Sequence, residues 1–350
     1  MRAVVYEQFG GPMQVTTLPD PSPSVDGVVV RVAASGICRS DWHGWKGHEP
    51  DIRLPHVPGH ELAGEVEAVG REVRRWQVGD RVTVPFAVGC GHCPSCREGD
   101  LHICDRGYQP GFTGWGSFAE RVALPHADLN LVRLPHELDF VSAASLGCRL
   151  TTAYRAVRHQ GRAAAGEWVA IHGCGGVGLG AVMIAVAAQA RVVAVDVKRE
   201  ALALAESLGA AQLINAQETD NVPLAIRELT GGGAHLSLDA FGSGPTARNS
   251  ITCLRKRGRH VQVGLLLGDQ RNPPMPMHEV IARELEIAGS HGMPAGDFPQ
   301  LLDLIRTGQI DPRRLVGRTV SLEEAISELT GMASQHGAGI AVIDRFASPI

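Results

Sequence analysis

The 350-residue sequence lacks an apolar run long enough to cross a membrane as a helix. The longest apolar stretch, residues 177–188, falls short of the roughly 20 residues that a membrane-spanning helix needs, and glycine interrupts it. A charge excess is also missing, because 33 lysines and arginines are balanced by 37 aspartates and glutamates, for a net charge of −4. Binders of nucleic acid or of membrane surfaces need a basic excess to pair with phosphates. These absences argue against all three classes of protein.

Length and composition are those of a folded protein with two domains. Hydrophobic residues make up 44% of the chain and charged residues 20%, which is typical of a globular chain and not of a disordered one. At about 100–200 residues per domain, the length indicates two domains. The 42 glycines point to tight turns or to close approach of the backbone to a ligand.

Eight cysteines occur in a sequence whose first residues do not resemble a secretory signal. Residues 1–6 form an apolar, strand-like run without the small-residue cleavage site of a signal peptide. We therefore expect a cytoplasmic location, where a reducing environment disfavours disulfides. Thiolates kept for metal binding or catalysis are the favoured interpretation of the cysteines.

The first third of the sequence is typical of β-structure. Runs of strand-forming residues bounded by glycine, proline and aspartate occur at residues 28–32, 62–69 and 81–84. Most of the 21 prolines precede residue 140, which disfavours long helices in that part.

After residue 150 the pattern changes to strands that alternate with helices. Strands are predicted at residues 167–172, 191–196, 235–239 and 259–263. An apolar helix is predicted to end near Ala188, and a second helix, residues 198–208, is ended by Gly209. The alternation predicts an α/β fold in which βαβ units build a parallel sheet.

The last part of the chain ends this pattern with an amphipathic helix, residues 297–307, and a strand, residues 339–344. Periodicity alone leaves open whether this segment forms its own unit or returns to the first domain.

Four cysteines within fifteen residues form the most specific motif of the sequence. Their spacing is Cys-x₂-Cys-x₂-Cys-x₇-Cys, and they are Cys90, Cys93, Cys96 and Cys104. Four thiolates in a loop rich in glycine and proline can converge tetrahedrally on one Zn²⁺, and a closed four-sulfur shell leaves no position for substrate. The motif therefore predicts a structural zinc. An iron–sulfur cluster, two disulfides or unbound thiols are the alternatives.

Three further soft ligands are far apart in sequence. Cys38 and His60 each lie where a strand-like run meets a loop, and Cys148 lies where the alternating pattern begins. Two sulfurs and one imidazole would leave the fourth position of a zinc tetrahedron open for water or an alcohol. Spacing alone is weak support, because a buried cysteine is commonly an inert small hydrophobe.

A glycine loop follows the strand at residues 167–172 and opens the apolar helix. Its residues are Gly173, Cys174, Gly175, Gly176, Val177 and Gly178. This order of strand, glycine loop and helix is typical of a dinucleotide site, with the pyrophosphate at the helix N-terminus.

An acidic residue ends the next strand of this unit. Asp196 is placed to accept hydrogen bonds from the adenosine ribose and to repel the 2′-phosphate of NADP, so NAD is the predicted cofactor. Lys198 and Arg199 follow closely and could soften the preference for NAD.

Together these motifs resemble those of the zinc-containing alcohol dehydrogenases of the medium-chain dehydrogenase/reductase superfamily. The resemblance covers essentially the whole chain. It rests on the four-cysteine lobe, the glycine loop, Gly59-His60-Glu61 with Gly64, and Gly79-Asp80-Arg81-Val82.

The family fold implies a GroES-like catalytic domain and a doubly wound Rossmann domain. The resemblance assigns residues 1–150 and 290–350 to the catalytic domain, with the structural-zinc lobe at about residues 88–106, and residues 151–289 to the NAD-binding domain. The active site is then expected in the cleft between the two domains.

By this resemblance, Cys38, His60 and Cys148 bind a catalytic zinc, and Glu61 lies behind it as an occasional extra ligand. Asp41 is similar to the acid that holds the imidazole of the ligand histidine in its metal-binding tautomer.

The resemblance also implies a proton relay and further cofactor contacts. Ser40 takes the substrate proton, His43 passes it to solvent through the nicotinamide ribose, and Arg39 contacts the pyrophosphate. The remaining predicted cofactor residues are Lys198, Val263, Gly264 and Leu265.

The expected function is reversible hydride transfer between a primary or secondary alcohol and NAD, with two zinc ions per subunit. Polyol, threonine and formaldehyde dehydrogenases of the superfamily, or a non-catalytic NAD-binding relative, are the alternatives. Trp42, Trp45 and Trp115 hint at a bulky or aromatic alcohol. A homo-oligomer is expected, with a tetramer favoured over a dimer, and no nucleic-acid or membrane partner.

Overall fold

The computed structural model describes residues 1–332 and 338–347, which form two large sheets and one small one. A two-stranded antiparallel sheet comes first, made of β1 (Arg2–Tyr6) and β2 (Met13–Thr17). The following strands are β3 (Val28–Ile37), β4 (Glu61–Val69), β5 (Arg81–Thr83), β6 (Arg121–Leu124) and β7 (Val132–Arg133). Strands β3 to β7 belong to one antiparallel arrangement in which β3 pairs with both β4 and β6.

The helices of this first part are short, as its proline content predicts. They are α1 (Arg39–Trp45), α2 (Pro94–Arg97), α3 (Ala127–Asn130), α4 (Phe140–Ala144) and α5 (Thr151–Tyr154). Two π-helical turns, Leu146–Leu150 and Arg155–Gln160, flank α5, so that α4, α5 and both turns form one nearly continuous helical segment.

A six-stranded sheet follows, and all of its strands are parallel. It contains β8 (Trp168–His172), β9 (Arg191–Asp196), β10 (Gln212–Asn215), β11 (Ala234–Asp239), β12 (Leu254–Gln262) and β13 (Glu286–Gly289). Their spatial order is β10-β9-β8-β11-β12-β13, which is the order of a doubly wound Rossmann fold. The α/β fold class predicted from the sequence is confirmed.

Helices cover this sheet and then continue toward the end of the chain. They are α6 (Gly176–Ala187), α7 (Arg199–Ser207), α8 (Val222–Thr230), α9 (Gly244–Thr252), α10 (Met277–Arg283) and α11 (Phe298–Arg306). Gly209, which has a φ of 103°, follows α7 as predicted. The glycine loop directly precedes α6. Apolar residues occur on all sides of this helix, and most of its residues are buried.

The end of the chain returns to the first large sheet. Strand β14 (Val316–Ser321) and helix α12 (Glu324–Gly331) precede β15 (Ile340–Arg345). Strand β15 is parallel to β14 and antiparallel to β3, with Val342 opposite Gly36. Periodicity left open where the terminal strand lies, and this pairing shows that it joins the sheet of β3.

The domain boundaries, residues 1–150 with 290–350 and residues 151–289, stay a prediction. Residues 333–337 and 348–350 of the last range lie outside the described residues. One hydrophobic core joins the two large sheets, since Ala34 and Ala63 of the first sheet share it with Ile171 and Leu238 of the second. Within the described ranges, no helix combines the length and the apolar character that crossing a membrane requires.

Candidate metal and cofactor site

Three segments that are distant in sequence bring Cys38, His60 and Cys148 together. Their ligand atoms lie within 4.8 Å of one another, and all three residues are buried. Cys38 follows β3 and precedes α1, whereas His60 directly precedes β4. The sequence placed residues 38–43 at a junction of strand and loop, but residues 39–43 begin α1.

Cys148 owes its position to a widened helical turn. It is the central residue of the π-helical turn Leu146–Leu150, which interrupts the helical segment between α4 and α5. Turns of this kind occur mostly where a helix must present a side chain to a functional site. This one brings the Cys148 sulfur to Cys38 and His60.

A buried acid fixes the orientation of the His60 ring. His60 Nδ1 lies 2.8 Å from Asp41 Oδ1, and the same carboxylate accepts hydrogen bonds from the backbone N–H groups of Cys38 and Gly59. His60 Nε2 is buried and has no hydrogen-bond partner within the described part of the chain. Such a pair directs the second ring nitrogen toward a metal. Asp41 occupies the place that the sequence resemblance implied.

The two cysteines of this site differ in their readiness to ionise. A hydrogen bond from Cys148 and the nearby His60 ring lower the pKa of the Cys38 thiol well below its ordinary value. The same contact, together with burial, raises the pKa of Cys148. A thiolate beside an imidazole is the form in which these side chains bind metal.

The donor set fits a zinc ion with an open position. Two sulfurs and an imidazole are zinc ligands, and three protein ligands leave the fourth tetrahedral position for water or substrate. The buried, unpartnered Nε2 of His60, in the part of the chain that the structure describes, fits such an ion and has no other visible use. Bound here, zinc would be held by Cys38, His60 and Cys148.

Glu61 contacts Arg149 and not the three ligands. Its carboxylate pairs with the Arg149 guanidinium, and Oε1 accepts hydrogen bonds of 2.9 Å from both Arg149 Nε and the Arg149 backbone N–H. Both side chains are buried. Glu61 adjoins the site, as the resemblance implied, but its oxygens are engaged by arginine.

The Glu61–Arg149 pair connects all three ligand-bearing segments. Glu61 follows His60 and Arg149 follows Cys148, while Arg149 Nη1 donates to the backbone oxygen of Ile37, which precedes Cys38. Burial lowers the pKa of Arg149, but Glu61 and Cys38 outweigh burial and raise it. Sequence analysis missed Arg149. The sequence did contain a signal for this pair, because the basic Arg149 lies beside one predicted ligand and the acidic Glu61 lies beside another.

Helix α1 carries the two residues predicted for proton transfer. The Ser40 hydroxyl lies 3.9 Å from the Cys38 sulfur, and His43 follows one turn later. His43 Nδ1 lies 2.9 Å from Nδ1 of His48, a residue to which the sequence assigned no role. Burial, with the neighbouring Arg39 guanidinium and His48 ring, lowers the pKa of His43 to about 4. The His43 ring is therefore neutral near pH 7.

The four-cysteine lobe brings its sulfurs together as predicted. The Sγ atoms of Cys90, Cys93, Cys96 and Cys104 lie within 4.8 Å of one another. Backbone N–H groups of His92 and Cys93 lower the pKa of Cys90 to about 6, which favours the thiolate. All eight cysteines are free thiols, so the alternative of two disulfides is wrong.

The glycine loop has the geometry that a dinucleotide requires. Gly173 has a φ of 93°, which a side chain would strain, and a Cβ on Gly178 would lie 1.8 Å from the Gly173 carbonyl oxygen. A Cβ on Gly175 would meet nothing within 4 Å, so this face of the loop is open. Gly176 and Val177 form the first turn of α6, whose N-terminus faces the open side. These residues fit a bound pyrophosphate.

Asp196 ends β9 and braces the same loop. Its Oδ2 accepts a 2.6 Å hydrogen bond from the Cys174 backbone N–H, and its Oδ1 accepts a 2.9 Å bond from the Lys198 backbone N–H. A carboxylate oxygen has a second lone pair, so both oxygens can still accept from a ribose hydroxyl. Arg39, the predicted pyrophosphate contact, is exposed, and its guanidinium lies 4.9 Å above the Trp42 ring.

A cavity of about 440 Å³ lies between the four-cysteine lobe and the ends of β12 and β13. It is lined by His102, Ile103, Arg155, Gln160, Gln262, Val263, Gly264, Leu265, Leu266, Gly289, Ser290 and His291. The lining includes all three residues predicted to contact the cofactor at the end of β12. Ligands bind at the carboxyl ends of the strands in sheets of this kind.

None of the three tryptophans singled out in the sequence lines this cavity. Trp45 is buried and donates to the Gly11 carbonyl, and Trp115 donates to the Pro55 carbonyl. The interpretation of Trp42, Trp45 and Trp115 as a sign of a bulky or aromatic alcohol stays a prediction.

Comparison with known proteins places the chain in a family. The family described as alcohol dehydrogenase GroES-like domain matches residues 24–136, and the family described as zinc-binding dehydrogenase matches residues 176–307. An alcohol dehydrogenase of Geobacillus stearothermophilus is 36% identical over 89% of this chain and 90% of its own. An NAD-dependent alcohol dehydrogenase of Sulfurisphaera tokodaii is 34% identical over 98% of this chain and 99% of its own.

Solved structures agree with these matches. The alcohol dehydrogenase TADH from Thermus sp. ATN1 superimposes with a TM-score of 0.90 at 32% identity, covering 99% of this chain and 100% of that one. The family matches, the relatives and the fold agree over nearly the whole length. The chain belongs to the zinc-binding alcohol dehydrogenases of the medium-chain dehydrogenase/reductase superfamily.

Proposed function

We propose that this protein is a zinc- and NAD-dependent alcohol dehydrogenase that interconverts a primary or secondary alcohol and its aldehyde or ketone. The observation that carries the proposal is the convergence of three buried donors, Cys38, His60 and Cys148. Arg149 joins this centre to the glycine loop, because a Cβ on Gly176 would lie 2.3 Å from its Cδ. The metal centre and the dinucleotide loop are therefore parts of one site.

Each bound group supplies one element of the chemistry. A zinc ion held by Cys38, His60 and Cys148 would supply a Lewis acid for a bound alcohol, and NAD would supply the hydride acceptor. Cys38 and Cys148 would hold the metal as thiolates, and the contact of Asp41 with His60 Nδ1 keeps His60 in the tautomer that binds metal through Nε2.

The chain's own residues remove the proton and position the cofactor. Ser40, beside Cys38, accepts the alcohol proton, and the neutral His43 moves it toward solvent. The open face at Gly175 and the N-terminus of α6 bind the pyrophosphate, while Asp196 orients the adenosine ribose. Val263, Gly264 and Leu265 border the cavity at the end of β12 and would contact the nicotinamide there.

Replacing His43 by alanine should lower kcat mainly at low pH. Expelling the alcohol proton is hardest when hydroxide is scarce, so we expect a loss of about tenfold to a hundredfold near about pH 6 and near-normal rates near about pH 9. His43 itself stays neutral over this range because its pKa is about 4. The pH profile of kcat checks this, and an equal loss at every pH would remove His43 from the relay.

Replacing Asp196 by serine should shift cofactor use toward NADP. Loss of the carboxylate removes its repulsion of the 2′-phosphate, and we expect the ratio of kcat/KM for NADP to that for NAD to rise about tenfold or more. Asp196→Asn is the control for the structure of the glycine loop, because the amide oxygen can still accept the hydrogen bond from the Cys174 backbone N–H. An unchanged ratio in both variants would show that Asp196 does not set the preference.

The function is tested by following NADH formation with a panel of alcohols. The zinc-loaded protein should reduce NAD with simple primary or secondary alcohols and oxidise NADH with the matching carbonyl compounds. Binding of zinc and NAD without turnover across the panel would favour a non-catalytic relative. Turnover confined to polyols, threonine or a formaldehyde adduct would favour the other dehydrogenases of the superfamily.

Assembly and location complete the proposal. We infer a homotetramer in preference to a dimer, as the family resemblance suggests, and light scattering of the purified protein tests it. We also infer a cytoplasmic enzyme, since eight cysteines without a disulfide suit a reducing compartment. Its partners are then small alcohols and carbonyl compounds.

A further inference from the structure

Helix α1 ends in a turn that places His48 next to His43. Gly47 has a φ of 78°, in the left-handed region that glycine adopts freely. The Gly47 N–H donates to the Gly44 carbonyl, and the His48 N–H donates to the His43 carbonyl at 3.0 Å. This pattern is a Schellman motif, in which the residue after the glycine commonly packs against the third-last residue of the helix. In α1 those two residues are His48 and His43.

The two imidazole rings meet through their Nδ1 atoms. His43 Nδ1 lies 2.9 Å from His48 Nδ1, and Trp42 packs edge-on against both rings, with centroids 5.1 Å from that of His43 and 5.9 Å from that of His48. Two ring nitrogens at hydrogen-bonding distance require that one carries a proton and the other a lone pair. The contact therefore fixes the tautomers of the two rings relative to each other.

One of the two arrangements suits proton transfer. If His43 donates from Nδ1, its Nε2 keeps a lone pair that can accept a proton, and the exposed His48 keeps its Nε2–H in water. In the opposite arrangement His43 carries its proton at Nε2 and can accept none there. Since the relay needs His43 as an acceptor, the first arrangement is the one that fits it.

The surroundings of His43 favour onward transfer of an extra proton. Burial, the Arg39 guanidinium and the His48 ring lower the pKa of His43 to about 4, and the nearby Cys38 sulfur opposes them. The protonated His43 ring is therefore a weak holder of its proton, and its Nδ1 faces His48.

Other charged groups lie near the two rings. The Lys46 ammonium lies 5.8 Å from the Trp42 ring centroid, and Glu49 follows His48 directly. The helix α12 packs against α1, and its carboxylates form salt bridges, Glu324 with Arg345 and Glu328 with Arg318.

We propose that His48 is the exit of the proton relay, where it holds His43 in the Nδ1–H tautomer and takes the proton that leaves Nδ1. His43 Nε2 binds the alcohol proton handed on from Ser40, while the Nδ1–H bond of His43 breaks and an N–H bond forms at His48 Nδ1. His48 then releases its Nε2 proton to water, so one proton enters the pair and one leaves it. Between turnovers the same transfers run once in reverse, with water at both ends, and restore the starting tautomers.

The role of His48 is defined by its partner. It acts through His43 and is a positioning residue, since its contact is with the His43 ring. The inference rests on the proposed dehydrogenase function and adds a member to its proton relay.

The tautomer of His43 is measured without turnover. In the zinc-loaded protein labelled with ¹⁵N in its histidine rings, NMR near about pH 8 should show His43 protonated at Nδ1 and His48 accepting at Nδ1. The His43→Ala and His48→Ala variants assign the resonances. In His48→Ala the acceptor is gone, and the proton of His43 should shift toward Nε2.

Variants of His48 separate proton transfer from hydrogen bonding. His48→Asn can accept the hydrogen bond from His43 through its amide oxygen but cannot take up a proton. We expect His48→Asn and His48→Ala to slow NADH formation in a single turnover by about threefold to tenfold near about pH 7, and little near about pH 9, where hydroxide takes the proton from His43. Added imidazole should restore the rate of His48→Ala, and the dissociation constant for NADH should stay unchanged.

Two further variants are the controls. His136→Asn replaces another exposed histidine, whose backbone oxygen accepts from Arg81, and should leave the rate and its pH profile unchanged. The double variant His43→Ala with His48→Ala should be no slower than His43→Ala alone, because His48 acts through His43.

The outcomes separate this inference from the function on which it rests. A His43 ring protonated at Nε2 in the wild type, or a His48→Asn variant as fast as the wild type near about pH 7, would overturn the inference and leave the dehydrogenase intact. A loss of rate in His48→Ala that is the same at every pH, or that imidazole leaves unchanged, would show a purely structural role and also overturn it. No NADH formation with any alcohol, by a protein that binds zinc and NAD, would instead overturn the proposed function.

Discussion

Replacing His60 or Cys38 by alanine is expected to abolish turnover while NAD binding persists. Either change removes one of the three donors that hold the ion, and with it the stabilisation of the alkoxide that forms as the alcohol loses its proton. Because that stabilisation is worth several kcal/mol, kcat/KM should fall by about a thousandfold or more. The glycine loop and Asp196 are untouched, so fluorescence titration should give a nearly unchanged dissociation constant for NADH.

Metal analysis and a distant cysteine provide the controls for this result. The wild type should contain two zinc ions per subunit, and each variant one, held by the four-cysteine lobe. Cys253→Ala removes a buried thiol on the far side of the second sheet, outside both ligand groups, and should retain two zinc ions and activity. Normal turnover by His60→Ala would show that the metal site is wrongly assigned.

Replacing Glu61 by glutamine is expected to destabilise the protein strongly. The change would leave the Arg149 charge buried without its carboxylate partner, and breaking such a pair typically costs about 3–5 kcal/mol of unfolding free energy. Urea denaturation of the zinc-loaded protein measures the loss. Adding Arg149→Met to Glu61→Gln should recover much of it, since the unpaired charge is then gone.

A surface pair on the same strand is the matched control for Glu61. Glu65 also lies on β4, and it pairs with Arg31, but the Arg31 side chain is exposed and the Glu65 side chain is only partly buried. Glu65→Gln should therefore change the unfolding free energy by less than about 1 kcal/mol. If Glu61→Gln were as mild as Glu65→Gln, the buried pair would not hold the ligand segments together.

Much of the second sheet could be predicted because most of its strands are short apolar runs that the sequence pattern identifies. Residues 192–195 are apolar and buried, three of the four are β-branched, and β9 has the predicted bounds of residues 191–196. The glycine loop was equally predictable, since only glycine can adopt the φ of Gly173 or approach a carbonyl as closely as Gly178 does. The short strands β10 and β13 were missed because each has only four residues and little periodicity.

Pairs that form between distant segments could not be predicted in this way. Arg149 and Glu61 are 88 residues apart, and the sequence around either residue contains no pattern that predicts their contact. The cavity wall made by His102, Arg155 and His291 depends likewise on how the four-cysteine lobe sits against the second π-helical turn and the end of β13.

The position of β15 constrains how the chain can fold during synthesis. Strand β3 can pair with β4 and β6 before the chain is complete, but residues 35–37 of β3 lack their partner on the β15 side until residues 340–345 have left the ribosome. The parallel sheet of β8 to β13 is complete by residue 289, and domains generally fold in the order of their synthesis. The nascent chain therefore presents an exposed strand edge for most of its translation, and truncation shortly before β15 should yield a product that aggregates or is degraded.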